Sequence, residues 1–120
     1  MNNSIRVTLD GIRRRVEGAR AISLIAVDGI PVETSGDEGI PIETMSAEFA
    51  SFVRSIRLSS TELETGEIEQ FTLVTEKYIT FLSAITPDYF ILLVLAPGGN
   101  YGRARFELGK AKYALQPELT

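Results

Sequence analysis

The sequence predicts an α+β (α/β) fold: one five-stranded antiparallel sheet between helices, in the order α-β-β-α-β-β-β-α. Three observations lead there. Residues 4–20 carry apolar side chains at helical spacing. Three strand-like runs between 68 and 96 are joined by turns of two residues, which forces an antiparallel meander. The last of these runs, Phe90-Ile91-Leu92-Leu93-Val94-Leu95, is apolar throughout and calls for cover on both faces.

In the first helix, Ile5, Leu9, Ile12, Val16 and Ala19 form one stripe, with Asp10, Arg14 and Glu17 facing away. Gly11 and Gly18 weaken it. Residues 21–27 are nearly all apolar and suit a buried strand. Asp28-Gly29 then favours a tight hairpin turn, because glycine accepts positive φ. The return strand covers 30–35, and Pro31 confines it to an edge. Residues 36–43 read as a loop. The likeness of Ile30-Pro31-Val32-Glu33-Thr34 to Ile40-Pro41-Ile42-Glu43-Thr44 reads as coincidence, since a solenoid needs several repeats.

The second helix covers 45–60, capped by Thr44 or Ser46. Met45, Phe49, Phe52, Val53 and Ile56 make its core face. Ala47, Ala50, Ser51, Arg54 and Leu58 make a small, semi-apolar second face where a surface helix is ordinarily charged. Such a face suits a protein partner, or else cover by the loop 36–43. The strands that follow are 68–75, 78–86 and 89–96, with turns at Glu76-Lys77 and Pro87-Asp88. The first is the most polar and reads as an outer strand; the last reads as central. Asn100 caps a third helix from Tyr101 to about Leu115, ended by Pro117, with Ala104, Leu108, Ala111 and Leu115 as its core stripe. Residues 1–120 read as a single domain.

The 120 residues contain no cysteine and no histidine. That removes disulfides, thiolate or imidazole metal ligands and the commonest general base. No catalytic, cofactor-binding or metal-binding residue is expected. The net charge of −4 opposes nucleic acid unless basic residues cluster, and Arg13-Arg14-Arg15 reads as a solvated helix face. Met1 to Arg6 has no apolar leader segment and the longest apolar run is too short to span a membrane, so a cytoplasmic chain without membrane insertion is expected.

Gly98-Gly99-Asn100-Tyr101-Gly102 sits where a phosphate-binding turn would, but lacks the Gly-Lys-Ser/Thr ending of a P-loop. It reads as a structural turn, with Gly102 letting the helix approach the sheet. Asp28 beside Glu33 and Glu43 beside Glu48 are explained by the turn and by solvation. Phe49, Phe52, Phe71, Phe81, Phe90 and Phe106 mostly sit on inferred core faces, so core packing is preferred to a stacking platform.

Four segments in order resemble the roadblock/dynein light chain superfamily, and within it the bacterial MglB-like branch. They are Ala26-Val27-Asp28-Gly29-Ile30-Pro31-Val32, Glu43-Thr44-Met45-Ser46-Ala47-Glu48-Phe49, Gly66-Glu67-Ile68-Glu69-Gln70-Phe71, and Leu95-Ala96-Pro97-Gly98-Gly99-Asn100-Tyr101-Gly102 with Arg103 to Glu107 beyond. The resemblance implies one helix on one sheet face and two on the other, and dimerisation through the second helix and third strand. It makes Ala47, Ala50, Ser51, Arg54 and Leu58 on the helix, with Phe71 and Leu73 on the strand, the candidate partner and dimer interface. It further implies a homodimer that binds a Ras-like small GTPase and regulates or activates it without catalytic residues of its own. Arg54, Arg57, Arg103 and Arg105 are then the arginines with a conceivable role in trans. The alternatives are a non-catalytic scaffold and a small-ligand-sensing module above the sheet.

Overall fold

The computed structural model describes residues 3–119; the reading of the N-terminus, where it rests on Met1 and Asn2, lies outside the described residues. Helix α1 spans Asn3–Arg15 and buries Ile5, Leu9 and Ile12, with Val16 just beyond it. It ends five residues before the expected boundary at 20. The cause is Gly18, which adopts φ +89° with a would-be Cβ 2.5 Å from the Gly99 Cα. Only glycine tolerates that conformation against that neighbour, so the chain turns there.

Strands β1 (Ala19–Ala26) and β2 (Pro31–Gly36) form the expected hairpin. Gly29 takes φ +95°, and Asp28 Oδ1 accepts from the Ile30 amide at 3.2 Å. Helix α2 is longer than expected, Ile42–Leu63. Neither Thr44 nor Ser46 caps it. Pro41 occupies the cap position with no side-chain hydrogen bond, and the Ser46 hydroxyl is buried without a partner. Buried Ile40 and Ile42 pin the start instead.

Strands β3 (Gln70–Val74), β4 (Ile79–Thr86) and β5 (Tyr89–Leu95) complete one sheet in the order β2-β1-β5-β4-β3, every pairing antiparallel. The apolar β5 is central, and Pro31-bearing β2 and polar β3 are the two edges. Alternation along the strands feeds two cores. Ile22, Leu24, Phe81, Ile91 and Leu93 meet α1 and helix α3 (Tyr101–Leu115) on one face. Ala21, Ile25, Leu82, Phe90, Leu92 and Val94 meet α2 on the other.

Helix α3 opens as expected: Asn100 Oδ1 accepts from the Arg103 amide at 3.0 Å. Its stripe Ala104, Leu108, Ala111 and Leu115 is buried. Two expectations nearby fail. A Cβ on Gly102 would meet nothing closer than 3.9 Å, whereas one on Gly99 would sit 2.6 Å from Leu95 Cδ1 and 2.9 Å from the Glu17 carbonyl. Gly99, not Gly102, permits the close approach. Phe106 is 58% exposed rather than core, because it points away from the sheet.

Candidate protein-binding site on helix α2 and strand β3

Strand β3 pairs only with β4, so its outer row of backbone amides and carbonyls has no neighbour within the sheet. An uncovered edge of this kind is a template for another strand. Beside it lies an aromatic trio in edge-to-face contact: Phe49–Phe52 at 5.2 Å, Phe52–Phe71 at 5.9 Å and Phe49–Phe71 at 6.1 Å between ring centroids. Phe49 is buried, while Phe52, Phe71 and Leu73 stay half-buried. Further along the helix, Ser55, Ile56, Ser59, Ser60 and Leu63 line a shallow apolar groove, and Leu63 is 71% exposed.

The sequence-derived residues fall into two sets. Phe71 and Leu73 lie on the β3 side, packed toward Phe52 and Phe49. Ala47, Ser51, Arg54 and Leu58 are exposed on the opposite flank of α2, which borders the β1–β2 turn. Arg54 Nη1 reaches the Val27 carbonyl there at 3.4 Å. Ala50 does not belong with them: it is 1% exposed, and a Cβ at Gly29 would stand 3.5 Å from its own. The hairpin turn at Gly29 lies against Ala50. Sequence reasoning missed Phe52, Ile56 and Leu63 as members of the β3-side surface. The half-burial of Phe52 and Ile56 and the exposure of Leu63 depend on the short, uncovered β3 rather than on helical periodicity.

Of the four arginines, Arg54, Arg57 and Arg103 make contacts within the chain. Arg57 Nη2 donates to the Pro87 carbonyl at 2.6 Å, and its guanidinium lies 5.6 Å from the Phe90 ring centroid. Arg103 Nε donates to Glu107 Oε2 at 2.9 Å. Arg105 is exposed beside Leu108, Gly109 and Lys112 on α3, away from α2. Glu107 is fully buried, yet burial, which acts to raise its carboxyl, is outweighed by the hydrogen bond and charge of Arg15, aided by Lys110 and Arg103. The carboxyl is held below its ordinary range.

Among the described residues no group of three or more His, Cys, Asp or Glu could hold a metal ion. A groove at the β2 edge is lined by Arg6, Pro31, Ile40 and Pro41 among others. No described helix is long and apolar enough to cross a membrane.

The Roadblock/LC7 domain profile matches residues 7–96. The chain belongs to the Roadblock/LC7 domain family. This roadblock domain is similar to MglC from Myxococcus xanthus, with 30% identity over 97% of this chain and 99% of that one and a TM-score of 0.69. It shares its fold with a Roadblock/LC7 domain from Streptomyces avermitilis (15% identity, 94% and 95% covered, TM-score 0.86). It also shares it with MglB of Myxococcus xanthus (14% identity, 95% and 93% covered, TM-score 0.87). MglB of Thermus thermophilus, described as a gliding protein, superposes at a TM-score of 0.86 with 16% identity over 96% of this chain and 87% of that one. The comparison with curated proteins returned no match. The five-stranded antiparallel sheet with one helix on one face and two on the other is the roadblock arrangement that the family resemblance implies.

Proposed function

We propose that this roadblock domain is a cytoplasmic, homodimeric regulatory partner of a small Ras-like GTPase, acting by protein–protein binding in a signalling or motility complex. The observation that carries the reading is the open β3 edge beside the half-buried Phe52, Ile56 and Phe71. A two-fold pairing there joins two sheets into one and buries these rings. Ala47, Ser51, Arg54 and Leu58, on the far flank of α2, are then left for the GTPase. Leu58 is 74% exposed next to Arg54, a combination of buried area and oriented hydrogen bonds that suits an anchor.

The chain itself hydrolyses nothing in this reading; it either positions the GTPase's own catalytic groups or acts as a scaffold. The scaffold alternative draws support from Arg57 and Arg103, whose guanidiniums are held by Pro87 and Glu107. The test is a pull-down with GTP-loaded and GDP-loaded Ras-like GTPases from the same cell, followed by single-turnover GTP hydrolysis. Nucleotide-dependent capture with faster hydrolysis supports an activator. Capture without acceleration supports the scaffold. Absence of capture in both nucleotide states contradicts the GTPase partnership.

A further inference from the structure

Charge is strongly segregated in this chain. Helices α1 and α3 carry eight of the 12 Lys and Arg residues but only two of the 16 Asp and Glu residues, so they hold +6 while the remainder holds −10. The two helices lie side by side on one face of the sheet. Of their two carboxylates, Asp10 is turned to Ser35 at the β2 edge, and Glu107 is buried beneath Arg15, Arg103 and Lys110. Those three cations keep 45%, 43% and 54% of their side-chain surface exposed. They form a roof with surplus positive charge.

The outer crest of the same layer is apolar. At about 100° per residue, Phe106 and Tyr113 point opposite the buried stripe of α3. Phe106 is 58% exposed and Tyr113 78%. Val7 is 64% exposed and shares the outer side of α1 with Arg14. Arg103 and Lys110 stand 5.7 Å and 5.2 Å from the Phe106 ring centroid, and Arg105 and Lys112 lie on the other flank of α3. Aromatic residues on a ridge with cations on both flanks match the physics of an interfacial helix: the rings enter the headgroup boundary and the cations stay at its anionic surface.

We infer that the α1/α3 face docks on an anionic lipid surface, with Phe106 and Tyr113 inserting and the flanking cations meeting lipid phosphate and carboxylate groups. Nucleic acid fits less well. The rings sit on a convex ridge rather than in a stacking groove, and the −10 elsewhere repels a long polyanion. A lipid plane touches only the basic face, and the charge separation orients the protein toward it. A two-fold through paired β3 edges would set both copies of this face on one side of the joined sheet. The face is complete in a single copy, so the inference does not rest on that dimer or on the GTPase.

Flotation with vesicles of phosphatidylcholine alone, and of phosphatidylcholine containing phosphatidylserine, tests it. Binding is expected only to the phosphatidylserine vesicles and should weaken in high salt. Replacing Arg14, Arg105 and Lys112 by Gln leaves the Glu107 roof intact and should weaken binding by roughly fivefold per charge. Phe106→Ala with Tyr113→Ala should weaken it at least about tenfold with the thermal melt unchanged. Equal binding to both vesicle types, no binding, or undiminished binding by these folded variants would overturn the inference. So would tighter binding to polyglutamate or to a single-stranded oligonucleotide at equal charge concentration, which would assign the face to a protein or nucleic-acid partner.

Discussion

Arg15 on α1 donates from Nε to Oε1 of Glu107 on α3 at 3.0 Å, and this bond ties the two helices of one face together across a carboxylate that has no solvent exposure. The second oxygen of Glu107 accepts from Arg103 Nε at 2.9 Å. Removing the charge leaves the guanidiniums partly solvated, so Glu107→Gln should cost about 2 kcal/mol at neutral pH. The sign of the pH dependence follows from the lowered carboxyl. Its contribution is present above the unfolded carboxylate value of about 4.3 and is lost as pH falls through the folded value. Urea midpoints should therefore show a wild-type advantage that shrinks below about pH 4.3. An advantage that is the same at neutral and at low pH would show that the bridge does not act through ionisation.

The turn glycines make a second test. Gly18→Ala meets the Gly99 backbone at 2.5 Å with φ +89°, and Gly99→Ala meets the Glu17 carbonyl at 2.9 Å. Each should destabilise by about 2–3 kcal/mol. Gly102→Ala enters open space on a helix and should change stability by no more than about 1 kcal/mol, toward stabilisation. Thermal melts of the three variants decide this; equal effects would contradict the assigned contacts.

The layout of elements was legible because it rests on local signals. The apolar β5 reads as central, Pro31 marks an edge, and the spacing of Ala104, Leu108, Ala111 and Leu115 gives the buried stripe of α3. What was not legible depends on partners distant in sequence. The end of α1 is set by Gly18 against Gly99. Ala50 is covered by the turn at Gly29, and the α2 flank beside β3 is defined by Phe71. Periodicity separates the two sides of a helix, but it does not tell which side the next strand leaves uncovered. Phe106 is a different case: at about 100° per residue it falls opposite the stripe of Ala104, Leu108, Ala111 and Leu115, so its exposure follows from spacing the sequence already carries.

The two flanks of α2 should separate by mutation. Leu58→Asp and Arg54→Glu place charge on the flank away from β3, where both residues are exposed. These variants should remain dimeric and lose GTPase affinity by about 1–3 kcal/mol per anchor. Calorimetric titration with the GTP-loaded partner measures it. Dissociation into monomers would instead assign this flank to the dimer seam. Unchanged binding by folded dimers would move the partner site elsewhere, to α1 and α3 first.

Sedimentation equilibrium at micromolar concentration tests the central claim, a homodimer closed through β3 and the facing flank of α2. The account predicts twice the 13.2 kDa chain mass for the wild type. Leu63→Asp, at a position 71% exposed beside the β3-side groove, should shift it to a folded monomer, while Leu58→Asp should not. A wild-type protein that sediments as a single 13.2 kDa species would contradict the account.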